Sequence, residues 1–371
     1  MPDSPLGAPP RPSLPIDLNA LLERAGLAAR RYVDDREAWD ATWRALPYQL
    51  MTYAPGVLDY QVCYLQQPEA PVLDLSLVLL HDGRPCGVFP LLLTQLDGAP
   101  HLSGNGARIT PPLFVAGLGS GTARKLCTGV MQLLRLLASS LGCQALLFEQ
   151  PCMPPLLDQG QDDWYRQWLA AGAAVSVKHD LFTDLRRPLP DIRGSFRKSF
   201  KALINTGLRA WQVQVMDAGN ADAAAWEELK QLHIAVAGRR TRSDETWAHQ
   251  LDWIRQGWAF VVLLRDPADG RLVGGGFIEH TRDEAMYGVG VYDRSLFDKP
   301  LGHVVQQVAI ERLKTLGVPW YRLGERSSPQ DQPQPSAKQV AISDFKQGFA
   351  SHLFTRLEMS LPVRAWLDSV D

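Results

Sequence analysis

Residues 301–323, LGHVVQQVAIERLKTLGVPWYRL, decide the fold. Leu301, Val305, Val308, Ala309, Leu313 and Leu316 recur at helical spacing. Gly317 stands where a left-handed cap residue belongs, and 320–323 then reads as a short buried strand. That is a helix crossing over a sheet and feeding its next strand. Residues 122–148, TARKLCTGVMQLLRLLASSLGCQALLF, repeat the pattern. Here Leu126, Val130, Leu133, Leu134, Leu137 and Leu141 form the stripe, Gly142 the stop and 145–148 the strand.

Working outward, a hairpin precedes each copy. The first runs 75–80, turns at Asp82-Gly83 and returns over 87–94, with a strand near 113–115. The second runs 259–264, turns at Asp269-Gly270 and returns over 272–280, with a strand over 286–291. The chain therefore reads as an α/β protein of the mixed (α+β) kind. It has two tandem mixed-sheet units packed side by side, 19–185 and 186–371, behind a Pro-rich tail over 1–18 whose composition marks disorder.

The 371 residues, 46% hydrophobic and 21% charged, suffice for two cores. A net charge of −2 gives no global pull toward nucleic acid or an anionic membrane. The cysteines, Cys63, Cys86, Cys127, Cys143 and Cys152, are odd in number and scattered, which suits a reducing cytoplasm. No signal peptide and no membrane span are legible. The oligomeric state is open, with a monomer as the default.

Ahead of the first hairpin, 18–32 and 35–46 read as helices, the latter with Trp39 and Trp43 as core residues one turn apart. Residues 186–209 read as one basic helix capped by Asp191 and ended by Gly207, with Ile192, Phe196, Phe200, Leu203 and Ile204 on its apolar face. Helices over 221–237 and 245–255 flank the loop Gly238-Arg239-Arg240-Thr241-Arg242-Ser243. A polar, Pro-rich loop covers 327–336.

Motifs for hydrolase, metalloprotease, P-loop and metal-cluster chemistry are missing, and no metal is implied. Gly274-Gly275-Gly276 lies inside a strand, so it marks either a close ligand or tight packing under the crossing helix. Each crossing helix follows glycines, at 117–121 and at Lys299-Pro300-Leu301-Gly302-His303, where free N–H groups can meet a phosphate.

The second half carries a more specific likeness. His233, the loop 238–243 and Trp247, then Tyr287-Gly288-Val289-Gly290-Val291-Tyr292-Asp293, then Lys299 to His303, then Phe345-Lys346-Gln347-Gly348-Phe349 together resemble the FemAB-like acyltransferases of the GNAT superfamily. The duplication extends this likeness over most of the chain beyond the tail. The coiled-coil insertion of peptidoglycan-bridge members is missing, which places the chain nearer the shorter members tied to polysaccharide and cell-envelope assembly. The resemblance implies tandem GNAT units and an acyltransferase using acyl-CoA, such as acetyl-CoA, or aminoacyl-tRNA as co-substrate. It implies Phe345-Lys346 at the site and Lys299 and Gly302 at the CoA pyrophosphate.

The residues also have their own chemistry. Acyl transfer to an amine needs a proton route and stabilisation of an oxyanion. Lys346 supplies a cation, Tyr287 a proton and Asp293 an acceptor, although Tyr287 also fits a core role and Asp293 a turn. Alternation puts Tyr287 with Val289 on one strand face and Gly288 with Gly290 on the other. His303 opens the second crossing helix, whose dipole favours the neutral imidazole; His233 is a second candidate base. Arg239, Arg240, Arg242 and Arg197, with Tyr292 and Phe345, suit a phosphate-bearing acceptor such as a nucleotide sugar or lipid-linked sugar. The basic face over 186–209, including Lys198, is where a tRNA backbone would lie. The expected function is N-acylation of an amine on a sugar or cell-envelope precursor, with a non-catalytic glycan- or phosphate-binding protein as the alternative. The second half carries the chemistry; the first forms a wall.

Overall fold

The computed structural model describes residues 16–67, 70–156 and 163–368. The expected tail falls outside the described residues up to position 15. Both crossing helices form, over Ser120–Leu141 and Leu301–Thr315, with Gly142 and Gly317 in the left-handed region beyond them (φ 71° and 75°). The first packs Val130, Leu133, Leu134 and Leu137 against Leu146, Phe148 and Trp168. The second packs Val304, Val305, Ala309 and Leu313 against Phe260, Val262, Ile278 and Tyr321. A third core joins the halves, bringing Trp39, Trp43 and Tyr53 to Trp226, Trp253 and Phe277.

The second hairpin becomes Ala259–Arg265 and Leu272–His280, followed by Glu284–Tyr292. These belong to an eight-stranded sheet in the order Gln212–Met216, Ala259–Arg265, Leu272–His280, Glu284–Tyr292, Trp320–Glu325, Ala174–Asp184, His352–Pro362, Ala145–Gln150. The first hairpin, Leu77–His81 with Arg84–Phe89, forms a four-stranded sheet with Ala29–Arg31 and Leu113–Phe114. The expected run to Thr94 ends at Phe89, where Pro90 breaks the strand, and Leu92–Leu96 joins a separate sheet with Leu73–Asp74 and Ala99–Ser103.

The sheet order reveals an exchange. Ala174–Asp184 precedes the second unit in the chain, yet it pairs with Trp320–Glu325. His352–Pro362 ends the second unit, yet it pairs with Ala145–Gln150 of the first. The two exchanged strands lie side by side from His352↔Phe182 to Ser360↔Ala174 and fuse the units into one sheet. Neither is apolar enough to stand out in the sequence, because polar residues at the seam are satisfied by one another. The buried Arg356 guanidinium contacts Glu149 (2.6 Å), Glu325 (2.5 Å), Glu358 (2.9 Å) and Asp180 (3.3 Å). Arg322 also holds Asp180 (2.7 Å), and Arg108 holds Glu358 (2.7 Å).

Two helical readings are corrected. Residues 186–209 form two helices, Leu189–Ser195 and Lys198–Ala210. Phe196 and Arg197 turn extended between them, so that Phe196 and Phe200 both reach Phe349 and the Arg197 amide donates to Gly348 O (2.8 Å). Asp191 lies within the first helix, and Gly207 lies inside the second, where a Cβ would strike Val304. The helix expected over 18–32 stops at Arg24; Gly26 (φ 62°) turns the chain into Ala29–Arg31, which pairs with Leu77–Leu79.

Removing one side of a buried charge network leaves the other uncompensated. Arg356→Ala is expected to lower stability by about 3–5 kcal/mol. Denaturant unfolding checks this, with the more exposed Arg108→Ala losing less.

Candidate active site

The central strands part company in mid-sheet. Glu284–Tyr292 runs parallel to Trp320–Glu325, but pairing covers only Glu284–Met286 against Trp320–Arg322. Beyond Met286 that edge has no partner strand among the described residues, and Gly288 and Gly290 are exposed at the centre of an eight-stranded sheet. The register also slips: Phe277 faces Val289 while Ile278 faces Tyr287, which makes Gly288 the extra residue of a bulge. The bulge overturns the simple alternation read from sequence. Tyr287 and Tyr292 join the core beneath the helix Leu301–Thr315, whereas Val289 and Val291 pack on the opposite face with Trp226 and Phe277.

On the helix side, the hydroxyls of Tyr287 and Tyr292 are 2.7 Å apart, and Tyr321 donates to Gln306 Oε1 at 3.0 Å. Packing accounts for the glycine run. A Cβ on Gly276 would strike Val305 and crowd Tyr287, and one on Gly274 would meet Tyr292. Burial pushes Tyr287 up to about 12 and raises Tyr292 as well, so both remain proton donors at neutral pH. Lys346, in the last turn of Ala337–Gln347, places Nζ 5.6 Å from the Tyr287 ring centroid. Its ammonium fills the space a side chain at Gly324 would take; Gly324 has φ 117°, and its Cβ would stand 2.9 Å from Nζ. Burial, then the charge of Arg322, lowers the Lys346 pKa.

Phe345 closes this pocket against Phe200, Phe349 and His303. Gly302 lets it approach, since a Cβ there would lie 3.0 Å from the Phe345 ring. His303 meets Phe200 edge-on at 4.5 Å, and its buried Nε2 has no hydrogen-bond partner among the described residues. Its pKa falls to about 4, through burial first and the Arg197 charge second, rather than through the helix dipole invoked from sequence. Arg197 stacks on Phe200 (5.1 Å) and donates to Asp344 O (2.9 Å).

The opposite face holds a residue the sequence reading missed. Glu279 is only 6% exposed, and its carboxyl makes no hydrogen bond or ion pair among the described residues. Its Cδ would lie 3.7 Å from a Cβ on exposed Gly288. Burial, then the nearby charge of Glu284, raises its pKa to about 8, with Arg242 opposing. Arg242 is anchored over Trp247 (4.8 Å) and donates to Gln250 Oε1 (2.8 Å). Glu284 itself accepts from Tyr48 Oη and the Met51 amide, both at 3.0 Å. The available signal was a carboxylate in an otherwise glycine-rich and apolar strand, GGGFIEH, in phase with buried Phe277.

Solved structures share this architecture. FemX superposes with a TM-score of 0.62 at 12% identity, over 90% of this chain and 98% of FemX. The fold is that of FemX and the tandem GNAT proteins. The C-terminal DUF2156 domain of a putative lysylphosphatidylglycerol synthetase from Agrobacterium fabrum gives 0.56 at 13% identity, over 96% of both chains. A tandem GNAT protein of the clavulanic acid pathway gives 0.50 at 17%, over 91% of this chain and 98% of its own. No family model and no curated protein sequence matches the chain.

Within this tandem GNAT fold the expected residues divide. Lys346, Tyr287, Tyr292, Phe345, His303 and Gly302 converge beneath the second crossing helix, with Arg197 at their edge. Asp293 lies apart: it accepts from the Ser295 amide and pairs with Arg271 (2.6 Å), which holds its carboxyl below the usual range. Lys299 is exposed beside Asp298 (3.0 Å), and Arg240 is exposed beside Asp244 (3.2 Å). Arg239 is exposed and makes no ion pair among the described residues. His233 packs edge-on to Trp247 (5.4 Å), its pKa lowered by burial and then by Arg242. At 117–121, Gly119 caps the first crossing helix, and Gly121 lies in its first turn.

Gly290→Ala would drive a methyl group into the Tyr287 hydroxyl. The expected loss is about 1–3 kcal/mol, typical of overpacking, read by thermal and denaturant unfolding.

Proposed function

We propose that this chain is an N-acyltransferase that moves an acyl group from acyl-CoA to an amine on a sugar or cell-envelope polysaccharide precursor. One observation carries the reading. An unpaired backbone edge opens in mid-sheet at Gly288 and Gly290, with the Lys346 ammonium on one face and the unpartnered Glu279 carboxyl on the other. The fold adds support, since FemX, a putative lysylphosphatidylglycerol synthetase domain and a tandem GNAT protein share it.

In this reading the thioester lies along the open edge. The amine gives its proton to Glu279 as its nitrogen bonds to the acyl carbon. The oxyanion is met by peptide groups of the unpaired edge and by Lys346. As the C–S bond breaks, the Tyr287–Tyr292 pair supplies the proton taken by the thiolate. Residues 186–371 house these groups, with 174–184 completing the sheet; 19–185 walls the acceptor side. Arg239, Arg240 and Arg242 then meet acceptor phosphate, and Lys299 the donor pyrophosphate. The net charge of −2 favours acyl-CoA over aminoacyl-tRNA, whose place would be the basic face at Lys198 and Lys201.

The experiment is acetyl transfer from acetyl-CoA to amino-sugar acceptors, with thermal shift as the binding readout. A base of pKa about 8 must lose its proton to act, so the wild-type rate should climb as pH rises through about 8 and then level. Glu279→Gln should lower kcat about 10²–10⁴-fold and flatten that climb. Lys346→Ala should cost about 10²–10³-fold and keep the climb. A folded protein that neither shifts with any CoA thioester nor turns one over would move the donor to aminoacyl-tRNA. Failure there as well leaves a glycan-binding protein.

A further inference from the structure

The helix Pro55–Leu65 of the first unit packs against the helix Asp244–Arg255 of the second. At their contact Cys63, Glu245 and His249 come together, with one ligating atom from each lying within 4.8 Å of the others. Glu245 and His249 stand one turn apart on a single helix face, and Cys63 meets them from the opposing helix. All three line a cavity of about 1600 Å³ whose other lining residues fall within 16–74 of the first unit. Cys63 is the most accessible of the five cysteines; the other four are buried.

We propose that Cys63, Glu245 and His249 form a divalent-cation site of the zinc class. A thiolate, an imidazole and a carboxylate are a borderline-soft set that suits zinc or cobalt and not magnesium or calcium. Zinc bonds of about 2.0–2.3 Å place tetrahedral ligands roughly 3.3–3.8 Å apart, within reach of small rotamer changes from the present spacing. Three protein ligands leave the fourth position to a water or substrate oxygen in the cavity. The Cys63 thiol also lies 3.6 Å from Ser243 Oγ, at the N-terminal end of the helix that carries Glu245 and His249. Of the other carboxylates lining the cavity, Asp59 pairs with Arg36 (2.5 Å) and Asp35 with Arg30 (2.7 Å), while Asp74 accepts from the Ser76 amide (2.8 Å). Tyr60 and Arg242, which stand beside Glu279, lie three residues from Cys63 and from Glu245. A cation here would fasten the two units on the Glu279 side of the sheet.

The test uses the tag-free, full-length protein, stripped with chelator and titrated with Zn²⁺ and then Co²⁺. The expected result is one equivalent bound, a higher melting temperature, and a thiolate-to-cobalt charge-transfer band with the visible spectrum of a four-coordinate site. Cys63→Ser should abolish the charge-transfer band, and His249→Asn should weaken binding at least tenfold, with circular dichroism confirming that both fold. A wild type that binds no equivalent of either metal, or a band that persists in Cys63→Ser, overturns the proposal. None of these readouts depends on transferase activity, so the site and the proposed reaction stand or fall separately.

Discussion

The Arg356 guanidinium and the carboxylates around it are the constraint on which the rest of the structure leans. Arg356 lies on a strand exchanged from the second unit, Glu149 on a strand of the first, Asp180 on the strand exchanged from the first, and Glu325 on the strand bordering the cleft. A buried ion network adds little net stability over an apolar equivalent, but it penalises wrong registers heavily. Sliding either exchanged strand by two residues would keep its faces and still strand a buried charge. The network therefore fixes where Trp320–Glu325 sits, and with it the point at which that strand stops pairing with Glu284–Tyr292.

That stopping point divides the site into two environments. Beneath the crossing helix, tyrosine hydroxyls and a lysine form a proton-rich pocket closed by phenylalanines. On the other face a carboxyl is held in apolar surroundings and faces Arg242. Separating them by the thickness of one sheet keeps a carboxyl and an ammonium close to the same open edge without pairing them. The glycines at 274, 276, 288 and 290 make this geometry possible, because side chains there would fill the tyrosine pocket or crowd the bulge.

How much of this could be read from the chain follows from where the apolar residues are. Both crossing helices and the second hairpin were legible, because their stripes face thick cores. The exchanged strands were not: Lys178, His179 and Asp180, like Thr355, Arg356 and Glu358, erase the apolar signal that burial would otherwise leave. The bulge at Gly288 was hidden because one inserted residue changes every face assignment before it without changing composition. Lys346 and Phe345 were singled out through resemblance, and the fold sets them beside Tyr287 and His303. The surroundings of Glu279 and the meeting of Cys63 with Glu245 and His249 escaped because they arise from contacts between segments far apart in the chain.

The strand exchange also sets a schedule for biogenesis. Ala145–Gln150 receives its partner only when His352–Pro362 has been made. At ordinary rates of synthesis that wait is about 10–40 s. During it, one edge of a strand in the first unit's core is open to other chains, which is the usual route to misassembly in two-part proteins. The nascent first half is thus the stage at which chaperone protection matters most, and the arrival of His352–Pro362 is what ends the exposure.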